Sequence, residues 1–372
     1  MNPQVNVIPF SGGNPFFAAL SSALLPSLGY TQETPYYCGQ KGSNCINCGS
    51  CKGITTLQKH QGQLYHDYLA LTGVSFGWAW PELDADYHTI EGAGAGWRWP
   101  DAFIDFIMGH AGLAWRRMSK DAGEGAIYQA ITASVDAGFP VLLKLGAGPE
   151  WQVAAGHQNG ALYALGFGEK GRTLRNWYNS FEDAIIITGR CEPTVTLADV
   201  LRRVIAVLEH PAHARLEAGL NRRIDEIAPE NAQETAKWLG ELSDFPIYAR
   251  FHAAAAFDTG EAAVNGIQRM TDHKAVSDLL RRVFDRYLRD GTDETHGVLW
   301  RVWDLLGMSP RKDHDLPKNA GELILRPEAQ AELKRLFALV FKNDRDVLAA
   351  MREALTLLSS GGMRNERASE KN

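Results

Sequence analysis

Residues 150–167 read "EWQVAAGHQNGALYALGF". The Asn159-Gly160 pair inside it is a strong hairpin signal, because both residues accept the positive φ that a tight two-residue turn demands. The stretch reads as a β-hairpin turning at "HQNG", residues 157–160. Just before it, "PVLLKL" (140–145) is a short apolar run of the buried-strand kind. Further back, "EGAIYQAITASVDAG" (124–138) places Ile127, Ile131 and Val135 at i, i+4 and i+8, the stripe of a helix that Gly138 stops. Downstream, "AIIITG" (184–189) reads as a last strand. The region is mixed α and β.

Working outward, the pattern continues on the N-terminal side. "GGNPFFAALSSALLPSLG" (12–29) predicts a helix with Asn14 as N-cap, Pro15 at N1, Pro26 interrupting the last turn and an end at Gly29. "QLYHDYLALTG" (63–73) predicts a short helix, "VSFGWAW" (74–80) a strand, "DAFIDFIMGHAG" (101–112) a helix and "LAWRRMS" (113–119) a strand. Past "CEPTVTLADV" the texture changes to amphipathic helices. Leu197, Leu201, Val204, Ile205 and Leu208 share one face, and Val276, Leu279, Leu280, Val283, Phe284 and Tyr287 another. "GVLWRVWDLLG", "AQAELKRLFALVF" and "DVLAAMREALTLL" repeat the pattern. Seven of the ten tryptophans precede this change, which supports a boundary near Glu192–Thr196, where Pro193 breaks local structure. The expected domains are 1–192, holding a cysteine-rich insertion at 36–53, then a helical domain at 193–358. Residues 359–372, "SSGGMRNERASEKN", have little to bury and are expected to be disordered.

The chain has 372 residues, 45% hydrophobic and 22% charged, enough to bury two cores. A net charge of -6 gives no electrostatic footprint for nucleic acid or an acidic membrane. No apolar run reaches the roughly 18 residues of a membrane span. The first residues, "MNPQVNVIPFSGG", lack a basic segment followed by a long apolar core, so no signal peptide is expected. These features predict a cytoplasmic protein of the bacterial kind, with no nucleic-acid or membrane partner. In that compartment thiols stay reduced, and clustered cysteines read as ligands or catalytic groups.

Four of the five cysteines lie in "YYCGQKGSNCINCGSCKG" (36–53), spaced Cys38-x6-Cys45-x2-Cys48-x2-Cys51. Four thiolates converging on one point suit a tetrahedral zinc ion, and Gly39, Gly42, Gly49 and Gly53 would let so short a loop close around it. An iron–sulfur cluster is the alternative cofactor, and no cofactor the other; His60 or His66 would substitute for one cysteine. Cys38 is also a candidate nucleophile with His157 as base. "EGAGAGWRW" (91–99) is Gly-rich but opens no helix directly. It reads as a pocket-edge loop, with Trp97, Arg98 and Trp99 either a stacking patch or buried packing. His110, His252 and His273 read as capping or solvated residues, the Pro211 between His210 and His213 as a helix break, and Cys191 as a small buried residue.

"NPFFAALSSALLPSLGY", "YHDYLALTGVSFGWAW", "DAGFPVLLKL" and "EWQVAAGHQNGALYALGF" together resemble papain-like cysteine-peptidase domains of the bacteriocin-leader-peptidase type. They are most similar to the N-terminal domain of butirosin-biosynthesis-protein-H-like proteins. "LEAGLNRRIDEI" and "YARFHAAAAFD" resemble the helical part of those proteins. The resemblance implies an α+β papain-like domain followed by an α-helical domain. It also implies a nucleophilic Cys at the start of the first long helix, where this chain has Gly12, Gly13 and Asn14. It implies a His opening the strand after "PVLLKL", where Glu150-Trp151 stands and His157 follows later. Asn176, Asn179 or Asp183 would supply the orienting group.

A thiol peptidase needs thiolate, imidazole and orienting group together. With the first two missing from their places, the expectation is a pseudoenzyme. Its degenerate cleft, lined by Asn14, Glu150, Trp151 and His157, would bind a small molecule, a peptide or an acyl group such as that of an acyl carrier. The helical domain would dock a protein partner. The alternative is an acyl- or aminoacyltransferase, or a hydrolase, of secondary metabolism with a non-standard nucleophile.

Overall fold

The computed structural model describes residues 3–10, 14–38, 43–44, 54–77, 99–146, 151–243, 247–257, 267–288, 294–308 and 316–369. At 37–38, 43–44, 268–269 and 361–369 it describes the backbone alone. Helices and an antiparallel sheet together make an α+β protein. The chain divides into one unit of Met1–Tyr68, Glu91–Thr196 and Gly260–Asn265, and a second of Leu69–Ile90, Leu197–Thr259 and Gly266–Asn372. Among the described residues no helix is long and apolar enough to cross a membrane.

The elements up to residue 190 run in the order α1 (Pro15–Ser27), β1 (Tyr37–Cys38), β2 (Ser43–Asn44), α2 (Thr56–Leu71), α3 (Asp101–Ala111), β3 (Leu113–Ser119), α4 (Glu124–Asp136), β4 (Val141–Leu145), β5 (Trp151–Gln158), β6 (Ala161–Leu165), β7 (Arg172–Leu174) and β8 (Phe181–Arg190). β3 to β8 form one antiparallel sheet in the order β3-β8-β4-β5-β6-β7. The hairpin sits where the Asn-Gly pair put it. Gln158 faces Ala161 across a two-residue loop, and Asn159 and Gly160 adopt φ of 49° and 80°. α1 begins at the Asn14 cap with Pro15 at N1, and contains Pro26 in its last turn, as read from the sequence. That turn keeps Pro26 because its missing N–H and its ring disturb only the end of the ladder.

α1 packs on β4 and β5. The contact is aromatic: Phe16 lies 5.2 Å from Trp151 and 5.6 Å from Trp99, and Trp99 stacks on Phe103 at 4.3 Å. All four rings are essentially inaccessible. For Trp99 this is the packing role, while Trp97 and Arg98 lie outside the described residues.

The second unit is built from α5 (Leu197–Leu208), α6 (Pro211–Asp225), α7 (Ala232–Leu242), α8 (Tyr248–Ala256), α9 (Lys274–Tyr287), α10 (Thr295–Leu306), α11 (Ala320–Ile324) and α12 (Pro327–Ser369). Their apolar stripes meet in a core that includes Leu220, Leu239, Val302 and Phe337. Pro211 breaks the chain between α5 and α6, with His210 as N-cap of the second helix. His273 likewise caps α9 by accepting the Val276 N–H.

Several expectations change. Val74–Phe76 is a 3-10 turn rather than the start of a strand; Trp78 and Trp80 lie outside the described residues. Val74, Ser75 and Phe76 are all fully buried, so the alternation of apolar and small residues does not mark a half-exposed strand. Gly73 leads into this turn at φ 82°, and a Cβ there would stand 2.9 Å from Val207 Cγ2. Phe76 packs 6.0 Å from Phe257 and 6.1 Å from Tyr287, which is why residues 69–77 belong with the helical unit. α12 runs unbroken to Ser369, through most of the tail expected to lack structure, since extending an existing helix needs no new nucleus. Cys191 is exposed, not buried: its amide is held by the Gly112 carbonyl at 2.9 Å just past the end of β8, while its side chain faces outward.

The metal expectation is also corrected. Among the described residues no group of three or more His, Cys, Asp or Glu converges to hold an ion. Cys38 is described as backbone in β1, opposite Ser43 in β2, whereas Cys45, Cys48 and Cys51 lie outside the described residues. His60, a suggested substitute ligand, turns Nε2 to the Thr34 carbonyl at 3.2 Å and stacks at 4.5 Å from Tyr30. His66 sets its ring 5.8 Å from that of Tyr65.

Candidate functional site

The start of α1 is the place to examine first, because free amides at a helix N-terminus stabilise a thiolate or an oxyanion. Here those amides are taken. Pro15 has none. Asn14 Oδ1 accepts the N–H of Phe16 at 3.1 Å and of Phe17 at 3.3 Å. The Ala18 N–H donates to the Asn14 carbonyl at 3.0 Å, and the Asn14 N–H donates to Tyr65 Oη at 3.0 Å. Asn14 is fully buried, and its Nδ2 has no hydrogen-bond partner among the described residues. Replacing it should register as a lost cap. Asn14→Ala is expected to lower stability by about 1–2 kcal/mol and Asn14→Ser by less, read as shifts of the urea midpoint.

Trp151 opens β5, at the place where the resemblance puts an imidazole. It is fully buried against Phe16, and its Nε1 has no partner among the described residues. Glu150 lies outside the described residues. His157 is not with them. It is six residues further along β5, about 20 Å at the ~3.3 Å rise of a strand residue.

It also turns the other way. Simple alternation would put residues 151, 153, 155 and 157 on one face. The register of β5 against β6 slips between Ala154 and Gly156, pairing Ala154 with Ala164 but Gly156 with Tyr163. This one-residue irregularity reverses the alternation. Trp151 therefore meets α1, while His157 meets α4. His157 Nε2 lies 2.7 Å from Asp136 Oδ1, its ring is 6.3 Å from that of Tyr128, and its N–H donates to Gln4 Oε1 at 2.8 Å. Asp136 is the carboxylate partner that the sequence did not point to. The pair ties β5 to the C-terminal end of α4.

The three candidate orienting groups are apart from this pair. Asp183 is buried and bonded to Arg117, whose guanidinium also reaches Asp101 and the Trp99 carbonyl, both at 2.5 Å. Asn179 donates its N–H to the Asn176 carbonyl, and Asn176 borders a hollow described next.

That hollow lies on the other face of β5 from Trp151. Leu143 pairs with Gln152, Ala154 with Ala164, and Ala164 with Arg172, so Gln152, Ala154, Ala164 and Arg172 share one face. A hollow of about 470 Å³ is bordered by Leu145, Gln152, Arg172, Arg175, Asn176 and Trp177 among others. A second hollow, of about 400 Å³ and bordered by Gln158, Asn159 and Ala161, shares Thr173 and Arg175 with it. Gln152 is 5% exposed, and its Oε1 has no hydrogen-bond partner among the described residues. Sequence reasoning passed over Gln152, Arg172 and Arg175. Strand register brings Gln152 and Arg172 to one face, and Arg175, just past β7, borders the same hollow.

No family model, no curated protein and no solved structure matches this chain.

Proposed function

We propose that this chain is a non-catalytic papain-like binding protein, in which the place of the peptidase nucleophile has become part of the core. The observation that carries this reading is the start of α1. Asn14 stands where the thiol would be, and its own Oδ1 occupies the Phe16 and Phe17 amides that an oxyanion would need. Phe16, whose amide it holds, packs on the fully buried Trp151. A buried carboxamide that caps its own helix is neither nucleophile nor base. Recognition of a small molecule, a peptide or an acyl group is the task left to such a fold. The transferase alternative needs an imidazole at the helix start, and His157 is committed to Asp136 at the far end of β5.

Incubation with an acyl thioester, followed by intact mass and peptide mapping, tests this. Wild type and Asn14→Ala are expected to leave the thioester at its uncatalysed hydrolysis rate, with no acyl adduct that forms and decays. An adduct on any side chain that turns over with the thioester would overturn the reading.

A further inference from the structure

The hollow on the Gln152 face combines three features that a plain surface groove lacks. Gln152 borders it, and its Oε1 is a buried acceptor without a partner among the described residues. Burying such an atom unpaired costs about 1–3 kcal/mol, a cost that a bound donor would remove. Two guanidinium groups stand at its rim. Arg172 has only a 3.6 Å contact with Glu169, both side chains about half exposed, a pairing of little strength. Arg175 makes no ion pair among the described residues and borders both hollows. The third feature is an apolar wall. Trp177 is 3% exposed, held by its Nε1–H bond to the Gly160 carbonyl at 3.2 Å and stacked on Tyr128. Leu145 and Leu174 continue it.

We propose that this hollow binds a small carboxylate that also carries an N–H group, of about dipeptide size. The carboxylate would lie between Arg172 and Arg175, and the N–H would donate to Gln152 Oε1. Arginine suits a carboxylate because its fork offers two parallel N–H donors. The buried acceptor selects against an anion with no N–H, because such a ligand leaves Oε1 desolvated and unpaired. About 470 Å³ falls within the ~300–1,000 Å³ range of small-molecule sites. Trp177 and the two leucines give an apolar side chain of the ligand a surface to cover.

The inference rests on the proposed function in one respect, that the chain binds rather than transforms its ligand, and the two fail separately. An acyl adduct sinks the non-catalytic reading without touching the hollow. A failed titration leaves the account of α1 standing.

The test is calorimetric titration of the full chain with alanyl-alanine, with its C-terminal amide and with inorganic phosphate. Wild type is expected to bind alanyl-alanine saturably. Blocking the carboxylate as the amide, or replacing Arg175 by Ala, should weaken binding about tenfold or more, the loss of one charge-assisted hydrogen bond. Arg175 is exposed and unpaired among the described residues, so Arg175→Ala should keep the thermal midpoint of wild type. Gln152→Met should weaken the dipeptide while leaving phosphate unaffected. The proposal is overturned by an absence of saturable dipeptide binding, or by equal binding of the blocked amide. It is equally overturned if phosphate displaces the dipeptide from wild type and Gln152→Met alike, the behaviour of a bare arginine patch.

Discussion

Asp344→Ala is expected to destabilise the protein by roughly 3–5 kcal/mol, the cost of stranding a buried charge. Arg250 is fully buried on α8, and Asp344 on α12 is 5% exposed. Arg250 donates to both carboxylate oxygens, at 2.8 Å and 2.6 Å, and to the Phe76 carbonyl at 3.1 Å. Tyr287 Oη donates to Asp344 Oδ1 at 2.8 Å. Asp344 raises the pKa of Arg250 against the opposing effect of burial, and burial followed by Asp344 raises that of Tyr287. Without the carboxylate the guanidinium keeps its charge and loses its counter-ion. The control is the triple variant Arg250→Met, Asp344→Leu, Tyr287→Phe, which removes charge and hydroxyl together. Its urea midpoint should recover most of the loss, because a buried ion pair adds little over apolar residues of similar volume. A single variant within about 1 kcal/mol of wild type would contradict this geometry.

Mild acid is expected to weaken the fold between about pH 6.5 and 4, before carboxylates protonate. His213, on α6, is held near a pKa of about 4, chiefly by burial, with Arg250 and His210 lowering it further and Asp344 raising it. Burial also holds His110, on α3, at about 4. His110 Nδ1 lies 3.2 Å from Tyr68 Oη. Burial raises the Tyr68 pKa, so the contact joins a protonated phenol to a neutral imidazole. Both histidines bind a proton more readily unfolded than folded. Their contribution is complete above the ordinary imidazole pKa of ~6.5 and is lost as pH falls towards 4, by at most about 1.4 kcal/mol per pH unit for each. Glu332, held low first by its hydrogen bond from Arg335, adds its own loss only below the usual carboxylate range. Urea midpoints between pH 7.5 and 4.5 measure this, and His213→Gln should flatten the slope. A midpoint constant across that range would rule it out.

Much of the local structure was legible. The Asn159-Gly160 turn, the Asn14-Pro15 helix start and the stop at Gly138 depend on backbone chemistry carried by the residues themselves. The same holds for the Pro211 break and the amphipathic stripes of the second half. Other features were misread for a shared reason. "VSFGWAW" suggested a strand because Val74 and Phe76 alternate with smaller residues, yet the turn they form is enclosed on all sides. Cys191 reads as buried because free cysteines usually are, but nothing local decides which way a side chain turns just past the end of a strand such as β8.

The candidate cleft was the least legible. Asn14 and Trp151 do converge, through Phe16. His157 was grouped with them by distance along the chain, and the slip in register after Ala154 sends it to the opposite face. Asp136, its partner, is 21 residues away in sequence and reaches it only because α4 packs on the sheet.

By itself, then, the sequence determined the Asn159-Gly160 hairpin, the capped start of α1, the stop at Gly138 and the amphipathic helices of the second half, and that no thiol stands at the start of α1, since these follow from residue type and short-range periodicity. Only the tertiary structure decided that Arg250 and Asp344 find each other between helices. It alone placed Gln152, Arg172 and Arg175 around one hollow. Both depend on strand register and helix packing, which couple residues tens of positions apart and leave no mark in any short stretch of chain.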